Sequence, residues 1–391
     1  MKEFFLLIGT SVLIIFLTGC VERYYPEEDE LRTGILVINA HLTDRTGMQE
    51  IEISRSSTLL YSEYDPLPGC FAELVREDGM SREFTDTGNG DYQIPVDGEL
   101  LQRGMSYRLH VITPDGNEYE SDFEALRQVP EIDSLYYRFE QHFIGSDEDE
   151  QDGIRFYLDF TYDSDQYRYI RWELVETYEF HNPWLEPYIY DVDRRLKPLP
   201  DTSAPRICWI TNPLYSIYSM SLTYLDQGTY IRKPLNYVPN IQQEQKLHHK
   251  YSLLVRQYSL SAEAFHYWNE LKKTTQEMGS LFGMQPALLQ SNICNVRDDT
   301  ERILGFFSIS GVTEKRVFAE NVEGIDTTPY KWYCFPVPKG PGGIGWRSRS
   351  SLPIYFARGW MDGQSSFAQV NKHCVDCRAY RNSTHIRPEF W

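Results

Sequence analysis

Positive charge is in short supply: 38 Lys and Arg stand against 57 Asp and Glu in 391 residues, a formal net charge of -19. Nucleic-acid binding needs a basic patch that displaces counterions from phosphates, so that class is excluded. Flat adsorption on an anionic leaflet is disfavoured for the same reason. Phosphate loops are missing too. Gly340-Pro341-Gly342-Gly343-Ile344-Gly345 lacks the lysine and hydroxyl residue of a P-loop and the strand-to-helix setting of a dinucleotide turn. The apolar run Phe4 to Phe16 is signal-peptide sized and short of the ~20 residues a membrane-spanning helix needs. Helical periodicity is scarce, with one convincing helix in the chain. Cysteines number 7.

What is present begins at the amino terminus. Lys2 precedes the apolar run, and Leu17-Thr18-Gly19-Cys20 follows it, a tetrapeptide that resembles the lipobox of bacterial lipoproteins. The resemblance implies a signal peptide over 1–19 and a mature chain beginning at Cys20, whose thiol takes the lipid. Each buried acyl CH₂ contributes roughly 0.8 kcal/mol, so several acyl chains anchor stably where one would not. Residues 20–33, with Glu27-Glu28-Asp29-Glu30, bury too little apolar surface to offset ordering entropy and read as a flexible acidic tether. Acidic residues after a lipidated cysteine are similar to the export signal of some Bacteroidota lipoproteins. That similarity implies the outer membrane and its surface.

Setting Cys20 aside leaves Cys70, Cys208, Cys294, Cys334, Cys374 and Cys377. An even remainder in an exported chain suits structural disulfides, with the connectivity open. His373-Cys374-Val375-Asp376-Cys377 offers half a zinc site, but no second close-spaced pair of the usual kind accompanies it, and nothing ties His248-His249 to it. The acidic segment Asp147-Glu148-Asp149-Glu150-Gln151-Asp152-Gly153 invites calcium, yet Gln151 and Leu158 break the EF-hand pattern, so it reads as a solvated hairpin tip. No metal, other cofactor or catalytic residue is assigned.

From residue 34 the pattern is mainly β. Short alternating runs separated by Asp78-Gly79, Gly88-Asn89-Gly90 and Pro114-Asp115-Gly116-Asn117 predict an immunoglobulin-like β-sandwich over 34–128, without the cysteine and tryptophan hallmarks of antibody domains. Val129-Pro130 marks a boundary. Residues 129–391 form a larger β-rich domain with one amphipathic helix near 261–278, where Ser261 caps, Leu260 and Phe265 have staple spacing, and Phe265, Trp268, Leu271, Thr275 and Met278 make the stripe. Aromatics make up 14% of the chain and include 28 Tyr, which fits half-buried strands with amphipathic tyrosines at the rim. The proline- and aromatic-rich region Asn182 to Pro239 has no clean period. It suggests short strands, a packed insertion or a binding loop, and partner contacts are expected there.

Several stretches together resemble the Bacteroidota lipoproteins catalogued as domain-of-unknown-function 4249: the lipobox, the sandwich segment ending Gly104 to Tyr119, Val129-Pro130-Glu131-Ile132-Asp133-Ser134, Tyr251 to Leu271, Leu304-Gly305-Phe306-Phe307, and the terminal Cys374-x-x-Cys377 with Pro388 and Trp391. The family has no established activity, so the resemblance supplies no catalytic residue. It implies an outer-membrane lipoprotein often encoded beside SusC-like, TonB-dependent transporters. The reading is therefore a non-enzymatic, surface-exposed binding or accessory component for such a barrel, for a small nutrient or glycan, or for both. A glycosidase-like hydrolase using carboxylates such as Asp159, Asp163 and Glu173 is the first alternative. An adhesion or scaffold lipoprotein is the second.

Overall fold

The computed structural model describes residues 34–57, 64–143, 150–163, 166–182, 187–193, 195–199, 205–241, 244–276, 289–328, 352–361 and 364–391. Cys20 and the tether, the acidic tip at Asp147-Glu148-Asp149, Met278, Cys334 and the Gly340 to Gly345 loop lie outside the described residues.

The protein is mainly β, as expected, with one α-helix among the described residues. Its first strand, Leu36–Thr43, shows how alternation becomes a core: Leu36, Ile38, Ala40 and Leu42 are buried while the residues between them face outward. It pairs antiparallel with Gly47–Arg55 in a six-stranded sheet. A second six-stranded sheet is centred on Phe71–Arg76 and Ser106–Ile112. Residues from both sheets, among them Ile38, Ile53, Leu74 and Leu109, form one hydrophobic core. The hairpins predicted at Asp78-Gly79 and at Pro114 to Asn117 are formed.

Two strands from much later in the chain complete these sheets. Leu304–Ser310 lies parallel to Leu36–Thr43, and Ile293–Asn295 pairs with Glu118–Ser121. Both fall within the stretch 129–391 that the sequence assigns to the second region. The parallel approach depends on Gly305, opposite Ile38 with φ +90°, where an added Cβ would lie 2.1 Å from the Ile38 carbonyl oxygen. Only glycine accepts both that conformation and that proximity.

A three-stranded sheet (Ile132–Phe143, Glu150–Tyr162, Gly228–Pro239) and a five-stranded sheet centred on Tyr169–His181 and Lys250–Ser259 share a second core. The region 182–239 contains the expected short strands, Pro187–Tyr190 and Leu196–Pro198, which pair with each other, and also two long ones, Ile207–Ser221 and Gly228–Pro239, paired into the larger sheets. Pro213 and Pro234 fall beside register irregularities in these ladders. Bulges of this kind shift the side-chain alternation, which is why the period was not legible.

The helix runs Ala262–Gln276, with the Ser261 hydroxyl accepting from the Ala264 N–H as its cap. Its packed face is rotated from the expected stripe: Ala264 and Tyr267 are most buried, with Phe265, Trp268 and Leu271 beside them, while Thr275 is exposed. The tyrosines are not confined to the rim. Tyr92, Tyr107 and Tyr251 are fully buried, their hydroxyls donating to the Leu67 carbonyl, the Leu100 carbonyl and the Glu176 carboxylate. A satisfied phenol can sit in a core that an orphaned one could not.

Of the six cysteine candidates, Cys208 and Cys377 are joined, with Cα atoms 5.7 Å apart across 169 residues of chain. Cys374 is disulfide-bonded as well. Cys70 and Cys294 correct the expectation, since both are free thiols. Cys70 is buried in the first core with its Sγ toward the Leu67 carbonyl; Cys294 is exposed on its strand with its Sγ toward the Glu120 carbonyl. Neither meets a second sulfur among the described residues, and an even count in the sequence carries no information about distance.

Candidate functional site

The helix packs on Ile207–Ser221 and Tyr169–His181 of the five-stranded sheet and reaches the first sheet at Leu304–Ser310, where it leaves a cleft of about 450 Å³. Tyr267 and Trp268 from the helix and Phe306 from the late parallel strand line it on one side. Glu50, Glu52 and Asp91 line it from the strands. Glu50 and Glu52 are two residues apart on one strand, so they share a face, and Asp91 sits directly across the ladder from Glu52. Like charges in that register repel, and a hydrogen-bond donor or cation placed between them would relieve the repulsion. The indole N–H of Trp268 is buried and has no acceptor among the described residues, although a buried donor normally finds one.

At the inner end of this cleft His41 separates it from a neighbouring one of about 480 Å³, lined also by Glu173, Arg256 and Tyr258. Arg171 is the hub. Its guanidinium lies 4.0 Å from the centre of the Trp268 ring and 4.9 Å from that of Tyr258, and it donates to Glu173 Oε1 at 2.9 Å. It also meets His41 Nε2 at 3.3 Å. Arginine can only donate, so that nitrogen accepts, and the His41 proton sits on Nδ1, donating to Ser308 Oγ at 2.6 Å. Burial, with the Arg171 charge adding to it, lowers His41 to about 3, so the imidazole is neutral at physiological pH. Burial alone would raise Glu173. Arg171 and the Tyr258 hydroxyl, which donates to Oε2 at 2.6 Å, outweigh it and hold the carboxyl at about 2.

Chemically this is a fixed polar scaffold. Glu173 has no proton to give near neutrality, and both His41 nitrogens are engaged. What remains for a ligand is the aromatic wall and the carboxylate rim. The three alternative carboxylates do not form one site. Asp159 accepts from the Arg232 N–H and the Tyr136 hydroxyl, Asp163 accepts from the Gln166 amide, and Glu173 belongs to the Arg171 network. Among the described residues the carboxyl that is raised toward neutrality is Glu124, buried under the helix N-terminus.

In the region picked for partner contacts, Tyr215, Tyr224 and Ile231 are 87%, 97% and 69% exposed. Tyr224 stands in the connection that carries the chain from the five-stranded to the three-stranded sheet. His41, Arg171 and the acidic rim went unrecognised in the sequence. Their one signal was strand alternation, which tells that side chains share a face but not which distant element covers it.

Among the described residues no helix is long and apolar enough to cross a membrane. Strands, covering helix and polar clefts together define a mainly β protein with ligand-sized openings where the helix meets the sheets. Residues 21–316 match the family described as Domain of unknown function (DUF4249), and the chain belongs to that family. No curated protein matches it. Among solved structures, trypsin-activated alpha-2-macroglobulin from Escherichia coli aligns over 59% of this chain and 15% of its own, at 11% identity and a TM-score of 0.19. A likeness that weak carries no argument.

Proposed function

We propose that the protein is a lipid-anchored component of the bacterial outer membrane, held at the cell surface through Cys20, that binds a small polar nutrient without transforming it. On this reading it delivers the ligand to a SusC-like, TonB-dependent transporter. The observation that carries the binding role is the cleft under the helix: an aromatic wall and three carboxylates on adjacent strands. Aromatic faces pack on the C–H faces of sugars while carboxylates accept from their hydroxyls, so a glycan is the ligand class that fits. The lipobox Leu17-Thr18-Gly19-Cys20 supports the anchor. The exposed aromatics around Tyr215 and Tyr224 support a partner surface.

The test has two arms. Pull-down from detergent-solubilised outer membrane should recover a transporter, and Cys20→Ala should release the protein from the membrane fraction. Titration of the full chain with neutral oligosaccharides should give saturable binding that Trp268→Ala weakens at least tenfold. Binding that survives Trp268→Ala unchanged removes the cleft from the proposal; turnover of the oligosaccharide would replace it with a hydrolase.

A further inference from the structure

On the five-stranded sheet, at the end away from the cleft, Glu179 and His181 sit two residues apart near the close of strand Tyr169–His181 and so share a face. His249 immediately precedes strand Lys250–Ser259, whose ladder with Tyr169–His181 ends at Tyr178 opposite Tyr251. The imidazoles of His181 and His249 stack with ring centres 3.5 Å apart and 22° between planes. His181 Nε2 lies 2.6 Å from Glu179 Oε1. One ligand atom from each of the three residues lies within 4.8 Å of the other two, and all three residues are partly buried. His249 makes no hydrogen bond among the described residues. The far oxygen of Glu179 accepts from Trp391 Nε1 at 3.1 Å, which leaves Oε1 turned toward His181. Trp391 is itself held against the edge of Phe318 and beneath the Lys250 ammonium.

We propose that Glu179, His181 and His249 form a binding site for a divalent transition ion of the zinc type, with Trp391 orienting the carboxylate. Two imidazoles and one carboxylate are the donor set that zinc and its neighbours accept and that magnesium and calcium do not prefer. Tetrahedral bonds of ~2.0–2.1 Å place ligand atoms ~3.3 Å apart, a contraction that ring and carboxylate rotation provides. The carboxylate supplies one negative charge toward the ion, and the indole plays the part of an outer hydrogen-bond partner that fixes a ligand's orientation. Three protein ligands leave a fourth position for water or a donor atom of a ligand, which is the pattern of exchangeable sites and not of closed structural ones. The chain's spacing hides this set: Glu179-x-His181 and His249 are separated by the whole 182–239 region, and only the sheet brings them together.

The test uses the full chain, untagged and detergent-solubilised, stripped with EDTA and then equilibrated with zinc. Metal analysis after dialysis should find one ion per chain, and cobalt substituted for it should give the strong visible absorption of low-coordinate geometry. His181→Ala and His249→Ala, each shown by circular dichroism to keep the β-rich fold, should lose the ion; His249→Gln serves if an alanine variant does not fold. Trp391→Phe should weaken affinity by about 10–100-fold. No retained zinc in the wild-type chain, or undiminished retention in the double histidine variant, overturns the site. Unchanged affinity in Trp391→Phe overturns the orienting role of the indole.

Discussion

Glu124 gives the sharpest test of the energetics. Its side chain is 5% exposed, on the short strand Glu124–Ala125 beneath the first turn of the helix, and Ser261 Oγ donates to its Oε1 at 3.1 Å while accepting from Ala264. Burial raises its pKa from the ordinary 4.5 to about 7, with Glu263 and Asp122 adding to the rise and Ser261 and Arg127 opposing it. The sign follows from linkage. The native state holds this proton up to about pH 7, whereas the unfolded chain releases it near 4.5. The group's favourable contribution is therefore complete below pH 4.5 and is lost as pH rises through 7. At about 1.4 kcal/mol per tenfold step, the loss approaches 3 kcal/mol by pH 8. Glu124→Gln keeps an acceptor for Ser261 and removes the ionisation. It should match the wild type to within about 1 kcal/mol at pH 4.5 and exceed it by about 2–3 kcal/mol at pH 8. Urea unfolding of both proteins at several pH values measures this. His41, lowered to about 3, pulls the wild-type curve the opposite way below pH 6.5, so the difference between variants is the quantity to read. Parallel curves for the two proteins would refute the buried, proton-holding carboxyl.

Other consequences are as direct. Replacing Cys208 and Cys377 together by alanine opens a 169-residue loop and should lower unfolding free energy by about 3–5 kcal/mol, seen as a lower urea midpoint; an unmoved midpoint contradicts the cross-link. Gly305→Ala sets a Cβ against the Ile38 carbonyl at a positive φ and should cost at least about 2–4 kcal/mol or block folding, with normal stability refuting the parallel pairing. Arg171→Met leaves the Glu173 carboxylate without its partner. The Glu173 side chain is 38% exposed, so water offsets part of the loss and the cost is about 1–2 kcal/mol, between exposed and buried pairs. In that variant NMR titration should find the Glu173 carboxyl well above its present value of about 2; no change would show that Arg171 is not what holds it there.

Strand alternation and turn chemistry were readable directly, because they depend on neighbours in the chain. Leu36 to Thr43 had to bury every second residue, Asp78-Gly79 had to turn, and Ser261 had to cap whatever followed it. The family resemblance was readable for the same reason, as a matter of ordered local motifs. Tertiary structure decided what each exposed face meets. It returned Leu304–Ser310 to the first strand, separated Cys70 and Cys294 from any other described sulfur, and set Arg171 between Trp268 and Tyr258. It also brought Glu179 and His181 to His249 across some seventy residues of chain. These outcomes depend on which sheets close around which core. Backbone periodicity fixes the direction of a side chain, but only the packing of distant segments fixes its distance from a partner.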